Sequence, residues 1–199
     1  MQFLDNPPTD LRARILRHMN AWSKTANVTF TETRGTGKVR IARLDSPPAM
    51  AGYWSWVGTE ILEIARDEPT MNLEGFTMRE TDAEFRRVVR HEAGHTLGFD
   101  HEHMRAELVS KIDRRKAFAY FDEHEGWTRT EVEQQVLTPL EERSIMGTTV
   151  ADPTSIMCYH LPAEIMKSGR AIVGGLDINE TDFRFAASLY PKRVSARKR

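Results

Sequence analysis

The run His91-Glu92-Ala93-Gly94-His95-Thr96-Leu97-Gly98-Phe99-Asp100-His101 gathers three imidazoles and a carboxylate at spacings that suit one metal ion. Residues four apart lie on one face of a helix, a turn apart, so His91 and His95 can reach the same ion. Glu92 follows His91 directly and can lean toward the open side of that ion, where it is placed to take a proton from a water. Gly98 tolerates positive φ, so the helix can stop there and the chain can turn back, bringing His101 up as a third nitrogen donor. Three histidines leave a fourth position open, which is the arrangement of a catalytic zinc site holding one Zn2+ per chain. A helix face that merely happens to carry histidines is the plain alternative. A chance match at all five fixed positions is expected fewer than roughly one time in ten thousand, so the site reading prevails.

These residues need elements to hold them. Thr81-Asp82-Ala83-Glu84 has a capping-box pattern and opens the helix that carries the motif, with Phe85, Val88 and Val89 on its buried side. Upstream, Thr9 is predicted to cap a helix in which Leu11, Ile15, Met19 and Trp22 recur at helical spacing through Ala26. Val28-Thr29-Phe30-Thr31 alternates like a half-buried strand, as does Lys38 to Ala42. Ser46-Pro47-Pro48 breaks the pattern before the aromatic segment Tyr53-Trp54-Ser55-Trp56, and Met71-Asn72-Leu73 reads as one more strand. Downstream the chain turns helical over Ile112 to Phe121, after a capping box at Thr130-Glu131-Val132-Glu133, and over Ile178 to Leu189 with Asn179 as N-cap. The pattern predicts an α+β fold. A twisted mixed sheet with the motif helix forms an upper lobe, about 1–101, and a mostly helical or irregular lower lobe follows, about 102–191. A basic tail, 192–199, completes a single domain, with the metal in the cleft between lobes.

With 199 residues, 40% hydrophobic and 29% charged, the chain is ordinary for one globular domain. A net charge of -1 gives no broad electrostatic attraction to nucleic acid or an anionic membrane, and no apolar run is long enough to span a bilayer. The single cysteine, Cys158, cannot form a disulfide within the chain. Met1 to Pro8 lacks the order of a signal peptide and reads as a strand entering a turn.

The extended motif, followed by Glu102 and then by Ser155-Ile156-Met157-Cys158-Tyr159, resembles the astacin branch of the metzincin zinc endopeptidases. Gly98 to Arg105 matches that branch closely. Trp54-Ser55-Trp56-Val57-Gly58 is similar to its edge strand, and Leu176-Asp177-Ile178 and Leu189-Tyr190-Pro191 are similar to its closing segment. There are departures as well. Tyr53 stands where the family has a cysteine, the family's two disulfides are missing, and Ala106-Glu107-Leu108 replaces an Asp-Arg-Asp stretch. A divergent, bacterial, astacin-like catalytic domain spanning 1–199 fits this pattern.

The resemblance implies roles. Tyr159 would ligate zinc at rest and then swing away to hydrogen-bond the oxyanion. Met157 would floor the histidines, and Glu102 would belong to the surroundings of the mature amino terminus. Cys158 reads as a buried thiol. His103, His124 and His160 lack metal spacing and read as surface or capping residues. Trp54 and Trp56 would border an edge strand to which an extended peptide could add. Specificity should lie beyond the methionine turn, near Lys167 or Arg170. The expected activity is peptide-bond hydrolysis by a monomer on a peptide or protein substrate, with Glu92 as general base and no acyl-enzyme. The rivals are a zinc-bearing peptide-binding module without turnover and a zinc amide hydrolase acting on cell-wall peptides. Secretion follows from the resemblance, and a cytoplasmic enzyme is the alternative.

Overall fold

Strands β1 (Gln2–Phe3), β2 (Arg40–Ala42), β3 (Tyr53–Ser55) and β4 (Met71–Leu73) make a four-stranded sheet in the order β1-β2-β4-β3. The computed structural model describes residues 1–43, 52–140 and 150–193; the Ser46-Pro47-Pro48 break and the basic Arg197-Lys198-Arg199 end lie outside them. β1, β2 and β4 run parallel, with Phe3 opposite Ile41 and Ile41 opposite Met71. Every residue of β2 and β4 is buried, as expected of parallel strands covered on both faces. β3 runs antiparallel at the edge, with Trp54 opposite Asn72.

Within β2, Arg40 is buried, and its guanidinium donates to the carbonyls of Gly37, Lys38, Ile64, Ala65 and Glu68 at 2.7 to 3.3 Å. Charge-assisted bonds to backbone oxygens let an arginine sit in a core and hold the loop before β4 in place.

Helix α1 (Thr9–Met19) starts one residue earlier than the sequence suggests, with Pro8 at the N-cap position. It does not run to Ala26. From Asn20 to Lys24 it tightens into a 3₁₀ turn. Asn20 is the reason: its amide donates to Leu16 and Phe30 carbonyls and its Oδ1 accepts from the Phe30 N–H. The same bonds account for a missing strand. Val28 to Thr31 is outside the sheet, because its backbone groups are satisfied by Asn20, by Ser23 Oγ at the Val28 carbonyl and by the Met1 amine at the Thr31 carbonyl.

The motif helix begins at Thr81, whose Oγ1 accepts from the Glu84 N–H at 3.1 Å. It runs through α2 (Asp82–Glu84), a π-helical turn at Phe85–Val89, and α3 (Arg90–Thr96). Phe85, Val88 and Val89 are buried as the pattern requires, and Phe85 meets the Phe76 ring edge-on at 4.8 Å. The Trp22 indole N–H donates to the Arg90 carbonyl at 2.9 Å, so the α1 side of the core grips the helix one residue before the first histidine.

The chain divides into two compact units, Met1–Phe99 with Glu180–Arg199, and Asp100–Asn179. The last helix, α7 (Glu180–Leu189), belongs to the first unit: Phe185 packs on Phe99 at 5.2 Å and Phe183 on Trp22 at 6.4 Å. The second unit is helical and irregular, with isolated bridges at Ile112–Met166 and Leu161–Ile172 and no sheet strand among the described residues. It holds α4 (Ala106–Val109), α5 (Arg114–Glu125) and α6 (Arg129–Val132), the last continued by a π turn at Glu133–Leu137. α5 is capped by Asp113, and Gly126 in the left-handed region ends it. The capping box of α6 is Thr128 with Glu131, two residues before the predicted one. Ile112, Ala117, Val132, Leu137, Leu161 and Ile165 form this unit's core.

One core residue carries a pH prediction. His18 is buried between α1 and the motif helix, against Phe85 at 5.3 Å, and neither ring nitrogen has a hydrogen-bond partner. Burial, with Arg90 next, pushes its pKa down from 6.5 to about 4; Asp82 opposes this, while Arg17 and Arg14 add to the lowering. The 3.4 Å approach of Asp82 is therefore no ion pair at neutral pH. The unfolded chain takes up this proton at higher pH than the folded one, so His18 should erode stability as pH falls from 6.5 toward 4, by about 1–3 kcal/mol. Denaturant unfolding across that range should show His18→Leu with a flatter acid limb than wild type. Equal slopes would remove His18 from the account.

Candidate metal centre

His91 and His95 lie on α3 one turn apart, both buried, with ring centroids 4.7 Å apart and planes at 85°. The helix then ends in a reversal that the sequence dictates. Gly98 has φ of 91°, its N–H donates to the His95 carbonyl at 2.8 Å, and the Phe99 N–H donates to the Gly94 carbonyl at 3.1 Å. That bond pair is a Schellman cap, which needs a left-handed residue at the position Gly98 fills. Space matters here too, since Gly58 lies against the Gly98 Cα, and a Cβ on Gly58 would come within 3.1 Å of it. The Tyr190 hydroxyl donates to the Leu97 carbonyl at 2.7 Å, fixing the turn from the C-terminal side.

Past this cap His101 is half-buried, and one ligand atom from each of His91, His95 and His101 lies within 4.8 Å of the others. The reversal also aims a ligand. The Phe99 carbonyl sits 2.7 Å from His95 Nδ1. A carbonyl only accepts, so Nδ1 carries the proton and Nε2 is left as the donor to a metal.

Glu92 is 3% exposed, and its Oε2 has no hydrogen-bond partner. Burial raises its pKa to about 8, with the Arg87 charge pulling the other way. An unpartnered buried carboxyl oxygen on the helix that carries two of the imidazoles is what a site built around a cation and a water would leave. A bound dication would favour the carboxylate form. The donor set therefore fits a divalent metal ion.

Tyr159 is 40% exposed, with its ring 4.4 Å from that of His101. Met157 is buried, and its carbonyl accepts from the Glu102 N–H at 2.9 Å. Trp54 lies in the edge strand β3, half-buried, and Trp56 follows it, 40% exposed. β3 is tied to the motif helix by the Ser55 and Thr96 hydroxyls, 3.2 Å apart. Cys158 is buried with Leu108 and Ala151. Lys167 donates to the Ser110 carbonyl at 2.7 Å, and Arg170 is exposed.

Two residues have roles that spacing did not disclose. Glu102 Oε1 accepts from the Asp152 N–H at 2.8 Å, so this carboxylate and its own N–H latch the turn after His101 onto the segment leading into Met157. His103 is no surface residue. It is 1% exposed, and its Nε2 faces the Gln135 carbonyl at 3.2 Å.

No family model matches the chain. It is 29% identical over 127 residues to zinc metalloproteinase nas-27 of Caenorhabditis elegans, a match covering 60% of this chain and 27% of that protein. The chain spans about a quarter of the length of the curated relatives it matches. Among solved structures it superposes on myroilysin with a TM-score of 0.88 at 28% identity, covering 97% of this chain and 92% of that one. High choriolytic enzyme 1, a hatching enzyme zinc-protease from Oryzias latipes, shares the fold at 18% identity, with a TM-score of 0.61 over 97% of this chain and 90% of that one. This chain has an astacin-like metzincin protease fold with a His91, His95 and His101 metal-binding triad, and with one cysteine it holds no disulfide.

Proposed function

We propose that this chain is a zinc-dependent endopeptidase that hydrolyses peptide bonds with Glu92 as general base. The observation that carries the reading is the three-histidine group with the buried, unpartnered Glu92 oxygen on the helix that holds His91 and His95. Zinc is the choice of ion because three imidazoles are its common catalytic donor set. What a bound zinc ion supplies is Lewis acidity, which makes a water nucleophilic near neutral pH and polarises the scissile carbonyl. His91, His95 and His101 hold the ion, with the His95 ring fixed by the Phe99 carbonyl. Glu92 takes the proton from the attacking water and passes it to the leaving amine. Trp54 lies in the edge strand β3 and Trp56 follows it, which suits an extended peptide as substrate. A monomeric, secreted enzyme is part of the same proposal, supported by the family resemblance. No helix among the described residues is long and apolar enough to cross a membrane.

The test is a diverse peptide library incubated with zinc-loaded protein and read by mass spectrometry, beside a chelator-treated control. New internal termini that vanish with chelation are expected. Peptide retention without cleavage would replace this reading with that of a binding module.

Tyr159 has a narrower test. Its phenol is proposed to hydrogen-bond the developing oxyanion, which requires the hydroxyl and not the ring. Tyr159→Phe should keep zinc content and fold and lose kcat on the order of ten- to a thousandfold, with KM little changed. Undiminished kcat would make Tyr159 a packing residue.

A further inference from the structure

Three rings of the second unit cluster around one buried imidazole, one pair stacked and the other two tilted. His103 lies 4.8 Å from Tyr159 with planes at 23°, and 4.9 Å from His101 with planes at 41°, while His101 and Tyr159 are 4.4 Å apart. Exposure orders them: His103 is 1% exposed and Tyr159 40%, so His103 is the inner wall and Tyr159 the outer leaf. The wall is pegged. Nε2 faces the Gln135 carbonyl at 3.2 Å, which makes Nε2 the donor and leaves Nδ1 a bare acceptor with no hydrogen-bond partner. A buried polar atom without a partner is a cost that a phenylalanine or leucine here would avoid. The cost is offset if the peg matters, because a ring with an N–H at its far edge can lie flat against Tyr159, lean on His101 and be locked in rotation at once.

We infer that His103 is a positioning residue, a pegged aromatic wall that sets the orientation of the metal-binding His101 and of Tyr159 together. The inference rests on the proposed zinc-peptidase reading for its kinetic consequence, but not for its effect on metal binding. Orientation of a ligating imidazole by its neighbours is worth roughly 10–100-fold in metal affinity where it has the form of a direct hydrogen bond. A stacked wall should deliver less.

The experiment uses the full chain loaded with cobalt(II) or zinc. His103→Phe keeps a flat ring and loses the peg; His103→Leu loses both. Cobalt affinity, measured by chelator competition and by the visible spectrum of the bound ion, should fall about threefold for His103→Phe and about tenfold for His103→Leu, with the spectrum shifted in both. On a cleavable peptide, His103→Phe should lower kcat about tenfold with KM within about twofold. In a Tyr159→Phe background the further loss should shrink to about twofold or less, since the hydroxyl whose placement His103 sets is already gone. Wild-type cobalt affinity and spectrum in both variants would overturn the inference, as would a kcat loss that adds in full to that of Tyr159→Phe. Should His103→Leu fail to fold, His103→Phe carries the test alone. If the wild-type chain cleaves no peptide, the functional reading fails, while the cobalt measurements still decide the role of His103.

Discussion

Glu92→Gln is expected to lower kcat/KM on peptides by roughly 10²–10⁴-fold while zinc content and fold stay as in wild type. The substitution is nearly isosteric, which matters because Glu92 is 3% exposed and a smaller residue would leave a void beside the histidines. It removes the ability to accept a proton and keeps a polar head. Stability should not fall, because the amide keeps the buried side chain's volume. The loss should therefore appear in turnover alone. Steady-state kinetics with metal analysis on the same preparation is the measurement. A variant that cleaves like wild type would reject Glu92 as the base, and one that loses zinc as well would move it into the ligand set.

Local chemistry was the legible part of this chain. The Gly98 reversal could be read from one residue type, because a Schellman cap demands positive φ and glycine meets that demand at least cost. The Thr81 cap and the buried Phe85, Val88 and Val89 were legible for the same reason: each depends on neighbours within one turn. What did not read through were competitions between local patterns and distant partners. Val28 to Thr31 alternates like a strand, yet Asn20 and Ser23 take its backbone groups before a ladder can. Thr130 was a plausible cap, but Thr128 stands the same three residues before a glutamate and won that contest. The π turn at Phe85–Val89 shifts the helix phase just before the histidines and leaves no composition signal. His103 shows the limit most clearly. Two residues beyond a ligand, it has no metal spacing, and its burial against Tyr159 comes from a segment more than fifty positions away in sequence.

The triad itself makes the other large prediction. His95→Ala should take bound zinc from one per chain to near zero after dialysis, because only two imidazoles would remain at the site. His95 is buried on α3 and held at Nδ1 by the Phe99 carbonyl at 2.7 Å, so its loss removes a donor whose orientation is already fixed. Its loss also has a thermodynamic reading. An ion that binds the folded chain and not the unfolded one adds RT ln(1 + [L]/Kd), about 4 kcal/mol when free zinc is a thousand times Kd. The wild-type chain should thus gain several degrees in Tm on zinc addition and lose them with chelator, while His95→Ala should show no zinc-dependent shift. The mutant's own apo stability sets the baseline, since truncating a buried ring leaves a cavity whether or not metal is present. Measuring Tm against zinc concentration in both proteins separates the two effects. Unchanged zinc content or an intact zinc-dependent shift in His95→Ala would break the assignment of His91, His95 and His101 as the metal site.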